Sequence, residues 1–98
     1  MGHVTVIANI TVQEGAQEDI LLAFARLIKA TRNEVGCIRY DLHQYNSDAT
    51  EFCFYEIWET KRNLDDHSVS PHVKVFQSDT ATMIKSAVLS ELTALDLD

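Results

Sequence analysis

An α+β fold is predicted for this chain, a split β-α-β arrangement whose four-stranded antiparallel sheet carries its helices on one face. Three observations predict it. Four segments alternate polar and apolar residues with the two-residue period of a strand. Between the first and second of these, and again between the third and fourth, apolar residues recur at three- and four-residue spacing, the period of a helix. The second and third are parted only by a short polar loop, so they should pair as an antiparallel hairpin. The order strand, helix, strand, strand, helix, strand is ferredoxin-like, and 98 residues fit a single domain, 1–98.

The first strand covers residues 3–12. Val4, Val6, Ala8, Ile10 and Val12 alternate with His3, Thr5, Ile7, Asn9 and Thr11, until Gln13-Glu14-Gly15 breaks the pattern. A helix is expected from residue 16 to about residue 34. Ile20, Phe24, Leu27, Ile28 and Thr31 form its apolar stripe, widened by Leu21 and Ala25. Glu18 and Asp19 in the first turn, with Lys29 and Arg32 near the end, match the helix dipole, and Val35-Gly36 supplies the stop. The second strand is residues 37–46 and the third is 51–59, dense in aromatic and β-branched side chains. Thr60 can cap a short helix over residues 61–67. Ser70-Pro71 starts another, with Ser as cap and Pro at the first helical position. It should carry Val73, Phe76, Met83 and Ile84 toward the core and end near Lys85-Ser86, before a last strand at 87–95.

Charge narrows the partners. Fifteen acidic residues against eight basic ones give a net charge of −7, which repels nucleic acid and anionic membrane surfaces, so neither is expected as a partner. Hydrophobic residues at 46% with 23% charged residues are enough to fold without disorder. Met1-Gly2-His3 runs straight into the first strand without a basic or apolar leader, and no apolar run approaches the roughly 20 residues a bilayer requires. A cytoplasmic location is expected, with Cys37 and Cys53 as free, buried thiols on strands.

The third strand is apolar on both faces. Phe52, Phe54 and Trp58 lie on one side, with Glu56 among them, and Cys53, Tyr55 and Ile57 lie on the other. Helices on one face of the sheet leave the second set in water. Two sheets packed face to face would remove that patch, so a homodimer forming a dimeric α/β barrel is expected.

Motifs for phosphate cradling, paired cysteines, zinc proteases and nucleophile elbows are missing, and two strand-buried cysteines suit nucleophilic catalysis poorly. His3 and His43 read as solvated surface residues. His67 and His72 are five residues apart across a helix break, with no acidic cluster beside them, so no metal site is expected. They follow directly on Tyr55-Glu56-Ile57-Trp58, and each stands as an acid–base candidate beside the plainer reading of a surface histidine. Glu56, set between Phe54 and Trp58, must either pair with a helix Lys or Arg or have its pKa raised and serve as an acid or base. Trp58 is either core or the floor of a pocket, and Asn9, disfavoured in mid-strand, should hydrogen-bond to a substrate or to protein.

With Thr5-Val6-Ile7-Ala8-Asn9-Ile10 leading to Gly15, Glu34-Val35-Gly36-Cys37 with Tyr40, Tyr55-Glu56-Ile57-Trp58-Glu59, and then Leu64, His67, Ser70-Pro71-His72 and Phe76, the chain resembles the antibiotic biosynthesis monooxygenase domain family over nearly its whole length. The resemblance implies a dimeric ferredoxin-like barrel. Some members oxidise quinols or polyketide phenols with O2 without metal or flavin; relatives include haem-degrading enzymes and an isomerase of the phosphorylated autoinducer-2 signal. A cofactor-independent monooxygenase for a small quinol or phenol, with O2 as co-substrate, is therefore the implied function. Its proton would go to His72 with His67 or Glu56, Asn9 would orient an oxygen, and Trp58, Phe54, Phe76 and Tyr40 would wall the pocket. An isomerase or degradative enzyme for a phosphorylated signal would need a basic anchor such as Lys29, Arg32 or Arg39. A small-molecule-binding dimer without turnover is the non-enzymatic alternative. Asn9 stands where some quinol-oxidising relatives carry an acid. Asn9, Trp58 and His72 loosely imitate a haem-degrading set, although the short second helix and brief loops point to a smaller pocket.

Overall fold

Strand β1 (Val4–Val12) turns Val6, Ala8, Ile10 and Val12 inward and leaves the intervening side chains half-buried, as its alternation requires. The computed structural model describes residues 2–98, so Met1 of the opening segment lies outside the described residues. After β1 come α1 (Leu21–Arg32), β2 (Cys37–Gln44), β3 (Glu51–Trp58), α2 (Lys61–Ser68), α3 (Pro71–Asp79) and β4 (Ile84–Leu92). The strands lie in the order β2-β3-β1-β4, each pair antiparallel, which is the expected ferredoxin-like sheet.

Register decides what shares the buried face. Val6 pairs with Glu56, Ala8 with Phe54 and Ile10 with Phe52, so the inward residues of β1 and the set Phe52, Phe54, Glu56 and Trp58 form one layer. Phe24 of α1 meets Phe52 and Phe54 edge-on, at ring-centroid separations of 5.1 and 5.4 Å. Each such pair contributes roughly 0.5–1.5 kcal/mol beyond its buried area. The caps behave as the sequence indicates: Thr60 Oγ1 accepts from Asn63 N, and Ser70 Oγ accepts from Val73 N.

Several boundaries differ from expectation. Residues 16–20 form turns ahead of α1, because Leu21 N bonds to Glu18 O three residues back and interrupts the four-residue ladder. Glu18 and Asp19 therefore precede the helix, and Leu21 and Ala25 are exposed rather than part of its buried stripe. At the other end α3 stops at Asp79. Thr80 N and Oγ1 both bond to Phe76 O, and Met83 N and Ile84 N both return to Thr80 O, which closes the helix and reverses the chain. Met83 thus lies in a turn and Ile84 opens β4, which ends at Leu92 instead of Leu95.

Among the described residues no helix lies over the outer face of the sheet. Ile7, Tyr55 and Ile57 are half-buried there, and Val88 and Leu92 of β4 are exposed. The cysteines are half-buried rather than buried, because Cys53 lies on this uncovered face and Cys37 at a strand end beside a bulge. Both are free: Cys37 pairs with Trp58 on the helix side, Cys53 with His43 on the outer side. His3 and His43 are exposed. Among the described residues no helix is long and apolar enough to cross a membrane.

Candidate active site

A cavity of about 410 Å3 separates the sheet from the helix layer, within the size range of small-molecule sites. Small side chains create it. Ala8 pairs with Leu89, and Ala87 with Ile10, so two methyl groups floor the β1–β4 half of the sheet where larger residues would fill the space. Leu27, Leu64, Val73 and Phe76 roof it from the three helices, and Phe54 and Tyr40 close the β3–β2 side. Among the described residues no helix covers β4, so the cavity opens along that edge, where Leu89 is 64% exposed.

Besides Tyr40, whose phenol burial keeps protonated, two titratable side chains stand in the wall, Glu56 and His67. Glu56 is only 4% exposed and no Lys or Arg pairs with it among the described residues, so the ion pair with a helix cation is not formed. Its Oε1 accepts from Trp58 Nε1 at 3.0 Å. Burial pushes its pKa up to about 7, the indole hydrogen bond opposes the rise, and the charge of Glu34 adds to it.

His67 ends α2 with its ring between Trp58 and Tyr40, at centroid separations of 4.7 and 5.5 Å. Its Nδ1 lies 2.6 Å from Glu34 Oε2. Burial lowers its pKa, more than the hydrogen bond and charge of Glu34 restore it. A carboxylate oxygen accepts, so Nδ1 carries the ring proton and Nε2 keeps its lone pair. His72, in the first turn of α3, places Nε2 2.8 Å from the same oxygen. It does not line the cavity and stands behind Glu34.

Glu34 is the residue that sequence reasoning missed as part of the site. It lies in the α1–β2 loop, 33 positions from His67, and supplies the carboxylate that the local sequence around the histidines lacks. Gly36 was the available signal. Its φ of +83° suits glycine, and a Cβ there would fall 2.2 Å from Asn63 Cγ. The loop therefore lies flush on α2, one turn before His67, and Glu59 N bonding Gly36 O at 2.8 Å fastens it to the end of β3.

Of the other predicted residues, Phe54, Phe76 and Tyr40 wall the cavity. Trp58 is 0% exposed and acts behind the wall, touching Glu56 and His67. Asn9 lies on the opposite face of the sheet, where Tyr45 Oη donates to its Oδ1 at 2.5 Å. Asn9, Trp58 and His72 are thus not brought together. Lys29 is exposed, Arg32 binds Tyr40 O and Asp41, and Arg39 pairs with Asp41; none of the three reaches the cavity.

The family model for antibiotic biosynthesis monooxygenases matches residues 3–79. The crystal structure of PA3566 from Pseudomonas aeruginosa superposes with a TM-score of 0.92 at 28% identity, covering 98% of this chain and 97% of that one. Rv0793 of Mycobacterium tuberculosis, which bears a provisional monooxygenase name, is 29% identical over 85 residues, 87% of this chain and 83% of that protein. Its structure has a TM-score of 0.87 at 26% identity, covering 96% of both chains. Protein sll1783 of Synechocystis sp. is 29% identical over 73 residues, 74% of this chain; the aligned part spans 50% of that relative's length.

Proposed function

The chain belongs to the antibiotic biosynthesis monooxygenase family, and on that premise we propose that it oxidises a small quinol or phenol with O2, without metal or flavin. One observation carries the proposal: a largely apolar cavity whose wall holds a histidine with a free ring nitrogen and a carboxyl group half-protonated near neutrality. A phenolate can pass an electron to O2 itself, so the protein has only to desolvate the ring and move protons.

For a phenol the overall change is ArOH plus O2 giving a quinone plus water. His67 Nε2 takes the phenolic proton. Electron transfer to O2 and recombination form a ring peroxide, which Glu56 protonates. Loss of the ring C–H proton to the Glu56 carboxylate expels hydroxide, which collects the proton held by His67 and leaves as water. Glu34 is the positioning residue that keeps Nδ1 protonated, His72 steadies Glu34, and Phe54, Phe76 and Tyr40 sandwich the ring. Asn9, on the outer face, takes no part.

An apolar cavity without Lys or Arg in its lining favours this reading over a phosphorylated substrate, whose charge would be unpaired there. Oxygen-electrode assays of a quinol panel test it. Wild type should consume O2 and form quinone, while His67→Ala and Glu56→Gln should each fall about 100-fold or more. Unchanged turnover in both variants would overturn the roles, and ligand-induced thermal stabilisation without O2 uptake would favour a binding protein.

The working form proposed is a cytoplasmic homodimer. The uncovered face with Ile7, Tyr55, Ile57, Val88 and Leu92 supports pairing of two sheets. Light scattering should give twice the chain mass, and Tyr55→Glu should shift it toward one.

A further inference from the structure

We propose that Glu34, His67 and His72 form a binding site for a divalent transition-metal ion of the Zn2+ type. The three side chains come from three elements, the α1–β2 loop, the end of α2 and the start of α3, and their ligand atoms all lie within 4.8 Å of one another. Both imidazoles already aim a ring nitrogen at one carboxylate oxygen. Two imidazoles and a carboxylate suit Zn2+, Co2+, Ni2+ or Fe2+ rather than Mg2+ or Ca2+, and three protein ligands leave further positions for water.

The geometry needs a modest adjustment: the two imidazole nitrogens, within 4.8 Å of each other, must close by up to about 1.5 Å, a move open to His72 at the start of α3. A cation roughly 2.0–2.2 Å from each ligand requires ligand atoms about 3.0–3.4 Å apart. The present separations from Glu34 Oε2 are 2.6 and 2.8 Å, so the carboxylate withdraws by less than about 1 Å as the ion replaces the two bridging protons. Glu34 sits on a loop and can make that move. His67 is held between Trp58 and Tyr40, and its ring keeps its orientation. Side-chain exposures of 17% for Glu34, 9% for His67 and 25% for His72 leave the cluster screened yet reachable. A net charge of −7 attracts cations to the molecule.

Metal on Nδ1 moves the His67 ring proton to Nε2, turning that nitrogen from acceptor to donor. The ion is therefore not part of the oxidation proposed above and would suppress it. Cation binding itself does not depend on any turnover in the cavity.

Chelator-treated wild-type protein titrated with Co2+ should develop visible ligand-field absorption at one ion per chain, displaced by Zn2+. Isothermal titration with Zn2+ should give the same stoichiometry. Glu34→Gln and His72→Ala should each weaken binding tenfold or more, while His3→Ala and His43→Ala should leave it unchanged. Far-UV circular dichroism would establish that each variant is folded, and Zn2+ should raise the Tm of wild type but not of His72→Ala. Failure of the wild type to bind stoichiometrically, or equal binding by folded Glu34→Gln and His72→Ala, would overturn the site.

Discussion

Trp58 Nε1 donates to Glu56 Oε1 at 3.0 Å, two residues apart along the buried face of β3. The indole holds the carboxyl group in place without cancelling its charge. Burial outweighs that hydrogen bond, so the group titrates near neutrality, with a pKa of about 7.

That shift makes stability depend on pH. A carboxyl raised from 4.5 to about 7 on folding binds more protons in the native state than in the unfolded state across that window. Its stabilising contribution is complete below pH 4.5 and is lost as the pH rises through about 7, a loss on the order of 3 kcal/mol. Glu56→Gln removes this dependence. Urea unfolding of both proteins between pH 4.5 and 8 should show the difference moving in favour of the variant as pH rises; a difference constant with pH would contradict the assignment.

Gly36→Ala should destabilise by about 2–3 kcal/mol, from the positive φ together with the collision of the new Cβ with Asn63. Adding Asn63→Ala should recover only part of the steric loss, because the Cβ of residue 63 would itself lie 2.6 Å from the new Cβ. Thermal unfolding of the single and double variants measures both. The same single change should weaken the Glu34–His67 hydrogen bond, because the loop must rise from α2.

Ala8→Leu tests the origin of the cavity. Ala8 is buried in its floor, so the larger side chain has space to enter and stability should change by no more than about 1 kcal/mol. Thermal stabilisation by a quinol should vanish. A penalty of several kcal/mol would mean that the space is already filled.

The aromatic alternation of β3 and the caps Thr60 and Ser70 were legible because each depends on residues within one element. Glu56 was legible for the same reason: strand period alone sends it inward among Phe54 and Trp58. The ends of α1 and α3 were not, because competing three-residue bonds at Glu18 and the closure at Thr80 decide them, and neither alters the apolar period. Glu34 was hidden for a different reason. Its partners are 33 and 38 residues away, and only packing of the loop on α2 and α3 brings them together. Of the two partners the sequence offers Asn9, the structure shows the protein one, Tyr45, because alternation with Ala8 and Ile10 places Asn9 on the outer face.

The two thiols stand on opposite sides of the sheet, Cys37 beneath the helix layer and Cys53 on the outer face. They cannot join within one chain while β3 keeps its place, and burial raises the pKa of both, Cys37 to about 11. The alkylation rate of each therefore reports on its own side of the sheet, Cys37 on the strand end beneath the helices and Cys53 on the outer face.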